Sequence, residues 1–367
     1  MDGDTKKRGI KKVGEGSYGC VYRPPLKCRG RAPLSGDYIT KLMDEDDAAV
    51  EAAKMSIIDA IDPAGVFHYP LADTCQTDFV PMNCEECEDD SCRETCCNVE
   101  GSAILAYEDG GVDLETYTRR PVDVKRYFLG MWRLFYGLFM MHSNHFYHFD
   151  IKPNNIVVKE TPRETVVKFI DFGLSRTNIE MEELLKTSSL DYMFKTYKYY
   201  PADTVLITQR HKVSSDRDEF FAFYRRKMTV ALAERMTALH GDVIWPNQSA
   251  GRTGYDATSK KVLNQLDRIF NKLSMNEMFY DSYFRIWNIY RRVDVYSLGL
   301  ALNISLKNVS KFSTMTPTDM VFSGRLLTLT HKMFEQNILE RIDPLTAYRE
   351  YTALVKEVYN VDMSEKY

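Results

Sequence analysis

The glycine-rich stretch GEGSYGCV, residues 14–21, sets the strongest limit on how this chain can fold. It matches G-x-G-x-x-G-x-V, a spacing that also occurs in dinucleotide-binding turns. Those turns lead from a strand into a helix, whereas here Val21 and Tyr22 continue as strand and the prolines at 24 and 25 forbid a helix start. We therefore predict a β-hairpin whose backbone amides can approach phosphates closely, because glycine has no Cβ. The candidate nucleotide-binding residues of this hairpin are Gly14, Glu15, Gly16, Ser17, Tyr18, Gly19 and Val21.

Hydrophobic periodicity predicts a small sheet followed by a mostly helical region, an α+β chain. Alternating residues indicate short strands near 8–14, 19–23, 37–43 and 103–107, with a helix over about 45–60 that Pro63 closes. The glycine pair 110–111 predicts a domain boundary. Apolar residues spaced by three and four predict one long core helix over 122–143. Two short strands are predicted at 157–159 and 166–170. The chain beyond Tyr200 is predicted to be mostly helical.

Composition excludes some partners. Lys+Arg 48 against Asp+Glu 52 leaves a formal charge of −4, so no nucleic-acid or other polyanion partner is expected. The N-terminus lacks an apolar signal core, and no stretch approaches the roughly 18 apolar residues of a membrane span. We expect an intracellular, cytoplasmic protein with no membrane partner; the oligomeric state stays open.

Lys41 lies inside a predicted strand, where a lone lysine is usually a solvated edge residue. A partner changes that interpretation. Glu51 on the following helix could pair with it and hold its ammonium against phosphate oxygens, with Met55 on the same helical face; Glu45 is the competing acid.

Two polar motifs follow the long apolar helix: HFDIKPNN at 148–155 and DFG at 171–173. Phosphoryl transfer needs a carboxylate to accept the proton of the attacking hydroxyl and a cation on the moving phosphoryl group, which suits Asp150 and Lys152. It also needs oxygen ligands for magnesium, which suits Asn155 and Asp171.

Taken in order, these motifs resemble those of the eukaryotic-type protein kinase superfamily. YYPAD at 199–203, DVYSLG at 294–299 and ERIDPLTA at 340–347 extend the resemblance, with Asp203 where that family usually has glutamate. The resemblance implies a two-lobed fold with a small antiparallel N-lobe sheet (8–110) and a mostly helical C-lobe (111–367). It also implies ATP, Mg²⁺ or Mn²⁺ as cofactors, Asp294 bracing the catalytic loop, and an Arg341–Asp203 ion pair. Lys152 resembles the lysine of serine/threonine kinases, so the expected substrates are proteins bearing Ser or Thr.

The chain departs from that family at three places. Phe149 replaces the arginine that usually receives an activation-segment phosphate, so we expect activity not to depend on phosphorylation of that segment. A helical insertion of about 210–285 is interpreted either as a structural layer or as a docking site for a substrate or partner. A cysteine-rich insertion, 75–97, is not expected to form disulfides in a reducing compartment. Its spacing is also that of a structural zinc site, whose ligands would be Cys84, Cys87, Cys92 and Cys96, although its acids could equally mark a solvated loop.

Other functions are compatible with parts of this pattern. The main alternative is a catalytically weak, kinase-like scaffold that binds ATP and protein partners; it predicts loss of Lys41, Asp150 or Asp171, and all three are present. Small-molecule kinases of related fold share the aspartate loop, but generally lack the full glycine loop together with the DVYSLG and late arginine motifs. A zinc-dependent binding module would require the cysteine segment to act independently. Large inserts and a short N-lobe also resemble the divergent kinases of large DNA viruses, so a host-cell or virion location is a further expectation.

Overall fold

The chain divides into two units, Met1–Gly111 with Ile170–Gly173, and Val112–Phe169 with Leu174–Tyr367. The structure is a computed structural model, and it describes residues 10–16, 19–32, 34, 36–77, 102–186, 197–204, 217–239, 241–244, 264, 289–336, 338 and 340–363. An antiparallel sheet dominates the described part of the first unit and helices dominate that of the second, so the predicted α+β class is confirmed.

The first unit contains a five-stranded sheet in the order β1-β2-β3-β5-β4, with antiparallel neighbours throughout. The fourth strand was not predicted, because it begins directly after Pro70 and runs into the cysteine-rich stretch. The elements are β1 (Lys11–Gly16), β2 (Gly19–Arg23), β3 (Tyr38–Asp44), α1 (Glu45–Ile61), β4 (Leu71–Gln76) and β5 (Ser102–Glu108).

Helix α1 begins where Asp44 caps it, the side chain accepting a hydrogen bond from the amide of Asp46. Three acidic residues in the first turn complement the helix dipole. One face of the helix packs on the sheet, where Ala48 joins Met43 and Leu105 in a buried cluster. Since strand side chains alternate, Lys41 lies on the same face of β3 as Met43 and therefore faces α1.

A disulfide joins Cys28 to Cys75, with the Cα atoms 5.7 Å apart. The expectation that the cysteine-rich stretch forms no disulfide is therefore wrong for its first cysteine. The physical reason is local pairing: an antiparallel bridge between Cys28 and Thr77 brings this segment against the end of β4, within the Cα separation that a disulfide requires.

The second unit is built around helices. The predicted long helix over 122–143 is interrupted at Met131, whose carbonyl accepts from the amide of Leu134, three residues on instead of four. Apolar periodicity continues across this break, so the sequence pattern did not reveal it. The elements are β6 (Val112–Asp113), α2 (Leu114–Thr118), α3 (Val124–Gly130), α4 (Trp132–Ser143), β7 (Phe146–Tyr147), β8 (Ile156–Glu160), β9 (Thr165–Phe169), β10 (Arg176–Thr177), α5 (Asn178–Lys186), α6 (Arg217–Ala238), α7 (Val293–Phe312), α8 (Pro317–Met333) and α9 (Pro344–Tyr359).

Aromatic rings fill the core of this unit. Phe135 of α4 stacks on Tyr351 of α9 at 4.2 Å between ring centroids, and Phe128 of α3 stacks on Phe322 of α8 at 5.0 Å. Strands β8 and β9 form the hairpin predicted around 161–164, with β6 beside β8. The loop that carries HFDIKPNN thus leaves the short strand β7 and enters β8, so both of its ends are anchored in strands.

Within the predicted insertion of about 210–285, the structure describes a helix, α6, and little more. Leu239 and Val243, just beyond its end, are buried against Tyr199 and Tyr296. This contact favours a structural role for that part of the insertion. Among the described residues, no helix has the length and apolar character needed to cross a membrane.

Candidate active site

The glycine stretch forms the predicted hairpin. Gly14 pairs with Val21 and Gly16 pairs with Gly19 across β1 and β2. Any larger residue at Gly19 would force the backbone to shift, because its Cβ would lie 2.4 Å from the carbonyl oxygen of Leu42. The backbone of Glu15 pairs with Cys20, whereas Ser17 and Tyr18 at the tip lie outside the described residues.

Lys41 is held between two carboxylates of the first unit. Its Nζ lies 2.6 Å from Glu51 Oε2 and 3.1 Å from Asp171 Oδ1. The structure thus contains the predicted Lys41–Glu51 ion pair, while the competing acid, Glu45, accepts a hydrogen bond from Gln76 instead. The Glu51 carboxylate is further fixed by the hydroxyl of Tyr107, which donates to Oε1 at 3.1 Å.

Burial alone would lower the pKa of Lys41, but the carboxylates of Asp171 and Glu51 outweigh it and raise that pKa, so the ammonium stays charged. Two carboxylates around one ammonium leave an excess of negative charge. Asp171 is also the more accessible acid, with 32% of its side chain exposed against 4% for Glu51. A partly exposed carboxylate beside surplus negative charge suits Mg²⁺, which usually keeps several waters and takes one or two carboxylates together with substrate phosphates.

Asp150 is the centre of a second cluster, which lies entirely in the second unit. Its Oδ2 accepts from Lys152 Nζ at 2.9 Å and from Asn155 Nδ2 at 2.6 Å, and its Oδ1 accepts from the hydroxyl of Tyr197 at 2.8 Å. Asn155 Nδ2 also donates to the Asp150 carbonyl at 2.9 Å. These bonds use the amide nitrogen of Asn155, so its amide oxygen is the atom suited to ligate a metal.

Asp294 supports this loop from α7. The fully buried carboxylate accepts the backbone N–H groups of His148 at 2.7 Å and Phe149 at 2.8 Å, and it lies 3.1 Å from His142 Nε2. Phe149 has φ = 58°, in the left-handed region, as does Asp171 with φ = 64°. A non-glycine residue in this region is strained, and such strain concentrates at functional sites.

The predicted ion pair between Arg341 and Asp203 is also present, with 2.7 Å between Arg341 Nη2 and Asp203 Oδ2. Both side chains are almost fully buried. The guanidinium also lies over the ring of Tyr296, 5.0 Å from its centroid. Since Asp203 lies three residues after Tyr200, this ion pair anchors the chain in the unit's core just beyond the tyrosine-rich stretch at 197–200.

Sequence reasoning missed two of the residues that contact these clusters, Tyr107 and Tyr197. A signal existed for Tyr107, because it alternates with Ala103 and Leu105 on the face of β5 that packs on α1. No comparable signal existed for Tyr197, whose stretch has no clear periodicity.

Among the described residues, no three His, Cys, Asp or Glu side chains form a group that could hold a metal ion by themselves. The candidate zinc ligands Cys84, Cys87, Cys92 and Cys96 lie outside the described residues, so a structural zinc ion stays a prediction.

Part of the chain is similar in sequence to known proteins. Residues 102–222 match the family described as "Protein kinase domain". Cyclin-dependent kinase E-1 of Arabidopsis thaliana is 26% identical over 217 residues, which cover 56% of this chain and 40% of that protein. Cell division control protein 2 homolog 2 of Trypanosoma brucei brucei is 50% identical over 173 residues, 46% of this chain and 42% of that protein.

Residues 102–222 are therefore similar to a protein kinase domain, which agrees with the resemblance of the motifs to the eukaryotic-type protein kinase superfamily. The matched regions span well under half the length of those two relatives. The sequence matches do not distinguish a viral from a cellular origin of the chain.

Proposed function

We propose that this chain is a serine/threonine protein kinase that transfers the γ-phosphate of ATP to Ser or Thr hydroxyls of proteins, with Mg²⁺ or Mn²⁺ as cofactor. The observation that carries the proposal is the Asp150 cluster. One carboxylate oxygen is fixed by a lysine and an amide, and the other faces a hydroxyl donor.

In this reaction Asp150 orients the attacking hydroxyl and takes its proton as the new O–P bond forms. Lys152, 2.9 Å from Asp150, places a positive charge beside the transferred phosphoryl group. Lys41 holds phosphate oxygens of the nucleotide, and Glu51 keeps its ammonium in place. The bound divalent cation, which Asp171 and Asn155 would hold, offsets the negative charge of the phosphates.

The serine/threonine preference rests on Lys152 and on the resemblance to kinases that carry a lysine at this position. The scaffold function would require these same residues to bind nucleotide without transfer.

The test is transfer of labelled γ-phosphate from Mg-ATP to a mixed basic-protein substrate, with phosphoamino-acid analysis of the product. Wild type is compared with Asp150→Asn and Asp171→Asn, and with the matched variant Asp343→Asn. Asp343 caps α9 at an exposed position, where asparagine caps equally well. We expect phosphoserine or phosphothreonine from wild type and Asp343→Asn only. ATP binding with no transfer by wild type would instead support the scaffold.

A further inference from the structure

Large apolar side chains are exposed where α7 passes into α8. Phe312 ends α7 and is 39% exposed, while Met320 and Val321, in the first two turns of α8, are 60% and 56% exposed. The loop between the two helices has only four residues, 313–316, so these side chains lie at the same end of the second unit. Exposed apolar side chains that lie together are typical of surfaces that bind a partner.

Gly324 follows on the same side of α8 and leaves a notch in it. Glycine inside a helix is less favourable than alanine. Among the described residues, a Cβ at Gly324 would meet no packed neighbour within 4 Å, whereas one at Gly299 of α7 would lie 2.7 Å from Cβ of Met333. Packing within this chain thus explains Gly299 but not Gly324. The missing side chain lets the backbone of another molecule approach α8 closely.

The same side of the helix continues into a pocket beside α9. Arg325, Thr328 and Lys332 follow Val321 at spacings of four, three and four, which places all of them on one side of α8. The pocket has a volume of about 190 Å³ and is lined by Arg325, Thr328, Leu329, Lys332, Glu350 and Leu354. Small-molecule sites usually measure about 300–1,000 Å³. This pocket therefore suits a single side chain of a partner better than a free ligand.

The charge around the exposed apolar residues is positive. Lys311 Nζ lies 5.0 Å from the ring centroid of Phe312, and Lys125 Nζ lies 5.4 Å from that of Tyr359, which ends α9. Neither lysine forms an ion pair with an acid in the part of the chain that the structure describes. The acid nearest to Lys125, Asp319, is buried and accepts from the Tyr359 hydroxyl at 2.6 Å. On a chain of formal charge −4, this is a local positive region that attracts acidic groups.

Two more cations border the pocket in exposed ion pairs. Arg325 pairs with Glu357 at 2.5 Å, and Lys332 pairs with Glu350 at 2.7 Å. Since exposed ion pairs contribute little to stability, carboxylates of a partner can compete for these cations at small cost.

The shape of this surface favours a helix as the partner. From Met320 to Lys332 it runs about 18 Å along α8, at a rise of 1.5 Å per residue. An extended peptide usually binds by adding a strand to the edge of a sheet, whereas an amphipathic helix lays its apolar side into a groove. A helix offers no free edge, but the notch at Gly324, between exposed apolar residues and a pocket, provides a groove.

We propose that the outer face of α8, formed by Met320, Val321, Gly324, Arg325, Thr328 and Lys332, is a docking surface for an acidic amphipathic helix of another protein. The apolar stripe of that helix covers Met320, Val321 and the notch, and one of its side chains enters the pocket. Its carboxylates face Lys311 and Lys125. Docking at this surface involves none of the groups assigned to phosphoryl transfer.

The experiment titrates the full chain, with labelled Met and Val methyl groups, with a synthetic peptide and follows the methyl NMR signals. The probe is a peptide of about 18 residues, with leucines at i, i+3, i+4 and i+7 and glutamates at most other positions. We expect the signals of Met320 and Val321 to shift to saturation, and the affinity to fall as salt is added. No shift at either residue at millimolar peptide would overturn the proposal.

Two control peptides test the chemistry of the partner. A peptide of the same composition in scrambled order should not shift these signals, and equal binding by it would overturn recognition of a helix. A peptide with lysine in place of every glutamate should also fail to bind, and equal binding by it would overturn the acidic character.

Filling the notch separates docking from folding. Gly324→Gln adds a side chain where the structure has open space and replaces glycine by a better helix former, so the melting temperature should not fall. We expect its Kd for the acidic peptide to rise about tenfold, as for a residue at the centre of an interface. Ala222→Gln, at an exposed position of α6, is the matched control and should bind as wild type does. An unchanged Kd in Gly324→Gln would overturn the docking geometry.

The same signals distinguish other occupants of this surface. Shifts at Met320 and Val321 with vesicles of phosphatidylserine and phosphatidylcholine, but not with the peptide, would assign the surface to an anionic membrane. Shifts that appear when the chain alone is concentrated, and not with the peptide, would assign it to a second copy of the chain. Either result would overturn the proposal.

Discussion

Replacing Asp294 by asparagine tests how the loop around Asp150 is held. The substitution keeps the shape of the side chain and removes its charge and one of its two acceptor oxygens. In the native structure the two carboxylate oxygens are used separately, since Oδ2 accepts from His148 N and Oδ1 accepts from Phe149 N. An asparagine in either orientation leaves one of these buried N–H groups facing an NH₂ group.

The magnitude follows from that loss. A buried donor without a partner costs about 1–3 kcal/mol, and the remaining bond loses its charge assistance, so we expect the free energy of unfolding to fall by about 2–4 kcal/mol. The loop should also shift, because Phe149 is strained at φ = 58° and Asp150 follows it directly. A displacement of about 1 Å can cost about a hundredfold in rate, so kcat should fall by that order.

The effect on stability should depend on pH. Burial by itself would raise the pKa of Asp294, but the hydrogen bond and charge of His142, the charge of His148 and the N–H of Phe149 hold it below 3.8. A carboxyl whose folded pKa is depressed contributes stability above its unfolded pKa and loses it as pH falls through the folded value. The difference between wild type and Asp294→Asn should therefore be constant near neutral pH and shrink below 3.8.

The assay is urea unfolding of wild type and Asp294→Asn over a series of pH values, with phosphoryl transfer measured on the same preparations. Asp343→Asn is the control, because Asp343 also accepts a backbone N–H, from Thr346 at 2.9 Å, but at an exposed helix cap. It should change stability by less than about 0.5 kcal/mol. If Asp294→Asn matched this control in stability and in rate, the account of the loop's support would be refuted.

Three further perturbations test other parts of the fold. Arg341→Met leaves the carboxylate of Asp203 buried without its partner, and should lower the free energy of unfolding by about 3–5 kcal/mol. The double variant Arg341→Met/Asp203→Asn should recover part of this loss, as measured by calorimetry. No recovery in the double variant would contradict the pairing. Replacing Cys28 and Cys75 together by serine should cost about 2–4 kcal/mol, and a thiol titration that found both cysteines free in the non-reduced protein would argue against the disulfide itself. Because Phe149 replaces the phosphate-binding arginine, phosphatase treatment should leave transfer to protein substrates unchanged; a loss of activity that returned on rephosphorylation would count against this expectation.

Local chemistry made much of this molecule predictable. The hairpin of β1 and β2 follows from its glycines and from the prolines at 24 and 25, and α1 follows from its acidic first turn and alanine-rich face. The pairing of Lys41 with Glu51 could be predicted, because a lysine on a strand covered by a helix requires an acidic partner, and Glu51 lies on that helix. Asp150, Lys152, Asn155 and Asp171 could be selected because one reaction requires that set of groups.

The remainder depends on contacts between distant parts of the chain. The break at Met131 lies inside an unbroken apolar pattern, because both helices bury the same kind of face. The Cys28–Cys75 bond follows from strand pairing that the cysteine spacing does not reveal. The contact of Tyr197 with Asp150 depends on the turn that ends at Tyr200, and no residue pattern in that stretch marks the one hydroxyl that meets the base.

The most direct test of the central claim separates nucleotide binding from chemistry at Asp150. ATP affinity and single-turnover transfer of labelled γ-phosphate would be measured on the same samples of wild type and Asp150→Asn. If Asp150 accepts the proton of the attacking hydroxyl, the variant should bind Mg-ATP as wild type does and lose about 10²–10⁴-fold in transfer rate. Equal transfer rates in the two proteins would contradict the assignment of Asp150 as the base.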